Sequence, residues 1–195
     1  NYDAMFGKHS IAEIENYLYQ NLTEAKMTGE KEAQLTLLNE MIGFCRDTTQ
    51  KDKALNYCNE LKDLLLNLNL GGTVAYATSL LNIANAYRAF GMISESSKLH
   101  EQALEIYKKE LPANDFRYAS LYNNWSLVYQ EAGEYSKACE MLQKALQVLK
   151  YNSNTEIPQA TTRVNIASAM IQTGTKESLA EAEEQLKAAL DIFEK

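Results

Sequence analysis

Apolar residues recur along the chain at the spacing of an amphipathic helix. In one stretch Leu80, Ile83, Ala84 and Tyr87 stand at positions i, i+3, i+4 and i+7, which places them on one face of a helix. Gly91 then interrupts the pattern, and a second helical stretch of the same kind follows. The pattern therefore predicts a helix, a tight turn and another helix.

This two-helix pattern is an internal repeat. The first helices align at Thr36, Thr78, Ser120 and Thr161, which are 42, 42 and 41 residues apart. Each unit also repeats a large apolar residue in its first helix, a turn residue, and a small residue in its second helix. These columns are Met41, Ile83, Trp125 and Ile166; Thr49, Gly91, Gly133 and Gly174; and Ala54, Ser96 and Ala138. Small residues let two helix axes approach closely, and the large residues fill the space between them.

One more helix precedes the four units. Ser10 and Glu13 form a capping-box pattern that predicts its start, and Gly29 predicts its end just after Met27. We expect one all-α domain, residues 1–195, of about nine antiparallel helices, because no linker or change of composition divides the chain. Its parts are an N-terminal half repeat, 1–30, and four helix pairs, 32–70, 73–111, 115–151 and 156–194.

The sequence resembles the tetratricopeptide repeat family, and it is most similar to the long-helix, 42-residue variety of kinesin light chains and many bacterial repeat proteins. The residues that carry the resemblance are 81–87 with Gly91, and 122–129 with Gly133. The resemblance implies a right-handed α-α superhelix whose first helices line a concave groove. It also implies a protein-interaction scaffold that binds an extended peptide or partner segment in that groove.

The side of each first helix opposite its apolar face is rich in asparagine. An amide offers a donor and an acceptor, so it can hydrogen-bond the backbone of an extended peptide, as groove asparagines commonly do in related repeats. We predict a peptide-binding stripe in which Asn82 and Asn124 are the principal backbone contacts. The stripe comprises Asn39, Asn82, Asn85, Arg88, Asn123, Asn124 and Asn165. The alternative is that some of these asparagines cap neighbouring helices or bond across the interface between repeats.

Charged and aromatic residues near the stripe also allow two interpretations. Arg46 and Arg88 either contact a ligand or form ion pairs with Asp47 and Glu131. Tyr118, at the start of a first helix, either offers its ring to a ligand or packs against the preceding helix. Family members that bind chaperone tails use a set of groove Lys and Arg residues, and the matching columns here hold Thr, Ser and Asn. Binding of such tails is therefore disfavoured.

Composition and spacing limit the remaining functions. Lys and Arg number 19 against 26 Asp and Glu, a net charge of −7, which argues against nucleic-acid binding. No apolar run is long enough to predict a membrane span. The two histidines, His9 and His100, and the three cysteines, Cys45, Cys58 and Cys139, show no metal-ligand spacing, and no catalytic motif occurs. We therefore expect no enzyme activity, no catalytic residue, no cofactor and no metal. The odd, scattered cysteines favour the reducing cytoplasm.

Two other functions fit the same pattern. One is a peptide-sensing regulatory domain of a larger signalling protein, and the other is a self-assembly module. Val164 and Ile171 lie on the side of the fourth unit that a further helix would cover. We therefore expect that either the natural chain continues or its C-terminal end packs on another molecule, as in a homo-oligomer.

Overall fold

The computed structural model describes residues 2–194, and it describes the side chains from Ala4 to Glu194. A short 3-10 turn, Tyr2–Met5, is followed in this part of the chain by nine α-helices and no strand. The helices are α1 (Ile11–Thr28), α2 (Lys31–Asp47), α3 (Lys51–Asn67), α4 (Val74–Ala89), α5 (Ile93–Glu110), α6 (Arg117–Glu131), α7 (Tyr135–Lys150), α8 (Glu156–Thr173) and α9 (Lys176–Phe193). The predicted all-α class and the predicted number of helices are confirmed.

The first helix begins and ends at the predicted residues. The Ser10 backbone N–H donates to the Glu13 carboxylate at 2.7 Å, and the Glu13 backbone N–H donates to Ser10 Oγ at 3.3 Å. This reciprocal pair satisfies two backbone donors that have no partner within the helix. Gly29 ends α1 with φ +76°, a left-handed conformation that glycine adopts without steric cost.

The turn column has the same backbone conformation in all four units. Gly91, Gly133 and Gly174 have φ values of +75°, +74° and +72°, and Thr49 has φ +58°. A β-branched residue is strained in this region, because its Cβ approaches the following carbonyl oxygen. The tight turn therefore determines the backbone conformation even where the sequence does not provide glycine.

The helices belong to two compact units, one extending to Ile106 and the other starting at Tyr107, so that α5 contributes to both. In the first unit α2 packs against α1, α3 and α4. In the second unit α7 packs against α6 and α8, and α8 packs against α9. Each unit has its own cluster of buried apolar side chains. That the whole chain forms one domain stays a prediction.

The repeated small and large residues occupy the core. Ala54, Ser96 and Ala138 are completely buried. Ser96 is satisfied there because its hydroxyl donates to the carbonyl oxygen of Ala84 on the neighbouring helix at 2.7 Å. Trp125 is buried, as its column predicts, and it stacks on another ring of the same helix.

Candidate peptide-binding site

In the second unit, helices α6 and α8 flank a cavity of about 370 Å³, which we call the α6–α8 groove. Its lining is part polar and part apolar, and it comprises Phe116, Ala119, Ser120, Asn123, Asn124, Leu149, Ile157, Pro158, Thr161, Thr162 and Asn165. The structure thus brings Asn123, Asn124 and Asn165 to one groove. That these three residues bind a peptide remains a prediction.

Asn123 bonds within the protein. Its Nδ2 donates to the Ala119 carbonyl oxygen at 3.0 Å. Its amide also faces the Thr162 hydroxyl on α8, with Nδ2 and Oδ1 each 3.3 Å from Thr162 Oγ1. For this residue the arrangement matches the alternative stated above, a bond across the interface between two repeats.

Asn124 and Asn165 differ from Asn123. Both are half-buried in the groove, and neither side chain makes a hydrogen bond to any residue of the described chain. Ser120, one turn before Asn124 on α6, also has no such bond. The groove therefore offers an amide from each of its two helices, with donors and acceptors that an incoming backbone can use.

The sequence prediction missed the apolar walls of the groove. Phe116 and Ile157 have 44% and 58% of their surface exposed, large values for such residues, and Pro158 lies beside Ile157. Phe116 and Ile157 stand eight residues, about two helical turns, before Asn124 and Asn165 of the predicted stripe. Extending the stripe by two helical turns toward the N-terminus of each helix would have found them.

In the first unit the corresponding asparagines are bonded to each other. Asn82 on α4 donates its Nδ2 to Asn39 Oδ1 on α2 at 2.8 Å, and Asn39 Nδ2 donates to the Leu35 carbonyl oxygen at 2.8 Å. Asn39 is half-buried, whereas Asn82 is exposed. Because an amide has two N–H donors and a carbonyl oxygen, Asn82 retains part of its hydrogen-bonding capacity.

The other predicted residues of the first unit lie deeper. Asn85 is half-buried, and its Oδ1 is shielded from solvent. Arg88 is half-buried and close enough to His100 for its charge to lower the pKa of that imidazole. Arg46 forms an ion pair with the adjacent Asp47, with 2.7 Å between Nε and Oδ1. For Arg46 this is one of the two interpretations that the sequence left open.

Tyr118 packs inside the second unit. Only 5% of its surface is exposed, and its ring meets the Tyr107 ring edge-on, with 5.8 Å between centroids. Tyr118 therefore packs against the preceding helix, which is one of its two predicted roles, and it lies outside the α6–α8 groove.

Burial shifts the pKa of the buried titratable groups in the direction that keeps each group neutral at pH 7. Burial lowers the pKa of His100 to about 4, and it raises the pKa of Cys45 to about 11 and of Cys58 to about 12. These thiols are therefore protonated and poorly nucleophilic at neutral pH. Among residues 2–194 no three His, Cys, Asp or Glu side chains come together in a way that could hold a metal ion. In the same range no helix combines the length and apolar character that a membrane crossing requires.

Solved structures with the same fold are numerous. BtubC (BKLC) from P. vanneervenii matches with a TM-score of 0.81 at 17% identity, over 98% of this chain and 76% of that one. A kinesin light chain of Podosopora anserina with nearly identical TPR-like repeats matches with a TM-score of 0.73 at 20% identity, over 92% and 87%. The MamA protein matches with a TM-score of 0.60 at 16% identity, over 92% and 91%.

Comparison with curated protein sequences gives no match. The family profile described as tetratricopeptide repeat matches residues 33–109 and 117–195, which together are most of the chain. Repeats of this type generally mediate contacts between proteins. On this match the chain belongs to the tetratricopeptide repeat family.

Proposed function

We propose that the protein is a non-catalytic interaction scaffold that holds an extended segment of a partner protein in the α6–α8 groove. The observation that carries the proposal is the pair Asn124 and Asn165, whose amides face the same groove and form no hydrogen bond within the described chain. The acidic charge of the chain supports a protein rather than a nucleic acid as the ligand. Its three free cysteines support a reducing, cytoplasmic location.

The geometry suits an extended backbone rather than a compact ligand. Asn124 and Asn165 stand on different helices, so two peptide groups along one strand can each meet an amide. Phe116 and Ile157 add exposed apolar surface that would be removed from water when a ligand side chain packs against it. The asparagines thus fix the position of the backbone, and the apolar walls provide much of the affinity.

Affinity measurements on groove variants test this proposal. Random linear peptides displayed on phage are selected on the wild-type protein, and the dissociation constants of the best peptides are compared with those for Asn124→Ala/Asn165→Ala. Each lost hydrogen bond is worth about 0.5–1.5 kcal/mol, so we expect the double variant to bind roughly 5- to 150-fold more weakly.

A matched control separates binding from folding. Asn56→Ala removes an exposed asparagine from α3, outside the groove, and should leave the affinity unchanged. Both variants should keep the wild-type melting temperature, because the removed amides make no bond in the described structure. If the double variant binds every selected peptide as tightly as Asn56→Ala does, the backbone-contact role is wrong.

A second function, self-association through α9, is supported by a separate observation. Leu179, Leu186, Leu190 and Phe193 follow one another at offsets of 7, 4 and 3 along α9, so they share one side of the helix. Their exposed fractions are 48%, 43%, 53% and 51%. A contiguous apolar stripe of this kind is typical of a contact site, and we propose that a second copy of the chain covers it.

Sedimentation equilibrium over a wide concentration range tests this second function. The wild-type protein should shift toward a dimer as concentration rises, and Leu186→Lys should remain a monomer because a buried ammonium has no partner in the apolar stripe. Met27→Lys, at a position 84% exposed on α1, is the matched control and should dimerise as the wild type does. A wild-type protein that stays monomeric at the highest soluble concentration would exclude self-association through α9.

A further inference from the structure

The α6–α8 groove is lined without charged side chains, although the chain carries a net charge of −7. None of the eleven described residues that line it is Asp, Glu, Lys or Arg. Among the charges that adjoin lining residues in sequence, Arg117 donates to both carboxylate oxygens of Asp115 at 2.8 Å, and Arg163 donates to Gln185 Oε1 at 2.7 Å. Glu156 is exposed and is not a lining residue. A charged side chain that entered the groove would therefore lose water without gaining a partner of opposite charge.

This neutral lining belongs to one groove and is not a general property of the repeat. Phe116 and Asn124 correspond to Glu32 and Glu40, which stand two repeats earlier in the sequence. The same two columns thus hold carboxylates in the first unit and uncharged side chains in the second. Helix packing tolerates charge at these columns, so the neutral lining reflects what the groove can accept.

The walls of the groove form three levels along α6 and α8. Both helices contribute residues from their N-terminal halves, so they run in the same direction beside the groove. Successive levels are four residues apart, about one helical turn, and each has one residue from each helix. The first level is apolar, the second carries hydroxyls and the third carries amides: Phe116 with Ile157, Ser120 with Thr161, and Asn124 with Asn165.

The spacing of the three levels fits alternate residues of an extended peptide. Four residues of a helix rise about 6 Å, and two residues of a strand rise about 6.6 Å. A strand that lies along the groove can therefore place one side chain at the apolar level and the side chain two residues away at the hydroxyl level. The three levels together span about 12 Å, which an extended segment of about five residues covers.

The floor of the groove is closed, and the hydroxyl level offers little to a charged group. Ala119, Leu149 and Thr162 are each 1% exposed, so no ligand side chain passes between the helices. The Thr161 hydroxyl donates to the Ile157 carbonyl oxygen at 3.0 Å, whereas the Ser120 hydroxyl makes no hydrogen bond with the described residues. This level therefore suits a small or neutral polar side chain.

We propose that the α6–α8 groove selects an uncharged segment of about five residues, in which a large apolar side chain and a small or neutral polar side chain stand two positions apart. This inference rests on the proposed function and names the class of ligand for the same site. The apolar side chain packs against Phe116 and Ile157, its neighbour faces Ser120, and the backbone beyond bonds to the two asparagines. A charged side chain is rejected because its lost hydration is not replaced, so specificity comes from the cost of binding the wrong segment.

A phage library of random nine-residue peptides tests the proposal. The clones of interest bind the wild-type protein and are weakened by Asn124→Ala/Asn165→Ala, and their sequences should share the uncharged pattern. The tightest is then made as an acetylated and amidated peptide, with either Gln or Glu at the position of the small side chain. Because Gln and Glu have nearly the same size, calorimetry on this pair measures the effect of charge, and the wild type should prefer Gln about 10-fold or more.

A charge placed in the groove provides the second measurement. Ser120→Lys adds an ammonium group at the hydroxyl level, so this variant should bind the Glu peptide at least as tightly as the Gln peptide. Asn56→Lys changes the net charge by the same amount at an exposed position of α3, outside the groove, and should keep the wild-type preference.

The outcomes separate this inference from the proposed function. If no selected peptide depends on Asn124 and Asn165, the proposed function is wrong and the inference fails with it. Three other results overturn the inference alone: groove-dependent peptides that are as rich in charged residues as the library, equal wild-type affinities for the Gln and Glu peptides, or the same change of preference in Asn56→Lys as in Ser120→Lys.

Discussion

His100 provides a sharp test of the packing, because a buried neutral histidine makes stability depend on pH. The side chain is completely buried on α5, and its Nδ1 lies 2.9 Å from the Ser96 carbonyl oxygen, to which it donates. Burial lowers the pKa of the imidazole to about 4, and the nearby Arg88 charge acts in the same direction. In the unfolded chain a histidine has its usual pKa of about 6.5.

The sign of the effect follows from these two pKa values. Between about pH 6.5 and pH 4 the unfolded chain binds a proton that the folded chain does not bind, so acidification favours unfolding. Above about pH 6.5 both states are neutral and the penalty disappears. Integrated over this window, the free energy of unfolding falls by about 2 kcal/mol at pH 5 and by about 3 kcal/mol at pH 4.

The measurement is urea denaturation of the wild type and of His100→Leu at neutral pH and at about pH 5. Leucine suits the site, since Leu142 occupies the equivalent column of the next repeat and is completely buried. Carboxylate titration is common to both proteins and cancels in the difference between them. The wild type should therefore lose about 2 kcal/mol more than the variant on acidification.

A difference that does not change with pH would show that the imidazole is accessible to water, and the burial of His100 would be wrong. If His100→Leu does not fold, His100→Gln provides the same comparison, because glutamine does not titrate. An NMR titration of the His100 ring in the wild type gives its pKa directly and should place it well below the ordinary value.

Two further predictions concern the repeat itself. Thr49→Gly should raise the free energy of unfolding by about 1 kcal/mol, because glycine relieves the left-handed strain. Gly91→Thr should lower it by a similar amount through backbone strain alone, since the added Cβ meets no atom within 4 Å. If urea denaturation shows neither change, the turn conformation is wrong. Trp125→Ala should cost about 3–5 kcal/mol through lost burial and cavity formation. Trp125→Phe should cost much less, and equal losses in the two variants would show that the ring does not fill the core.

The helices and their turns were predictable because each depends on residues close together in the sequence. The positive φ of Gly133, the capping box at Ser10 and the burial of Ala138 each follow from a local or repeated spacing. His100 occupies the same column of the repeat as Cys58 and Leu142, and all three residues are completely buried. The bonding of the asparagines was not predictable in the same way, since it depends on a partner one repeat away.

The asparagine columns show which feature of the candidate site the sequence could not predict, namely which asparagines bond inside the protein. One column of the first helices contains Asn39, Leu81 and Asn123, and in the structure Leu81 is buried while both asparagines bond within the protein. The adjacent column contains Asn82 and Asn124, which are exposed and half-buried. Spacing alone placed both columns on the same side of the helix. The distance to the neighbouring helix decides which side chains bond inside the protein: Asn82 reaches Asn39 on α2, whereas Asn124 makes no hydrogen bond with the described residues.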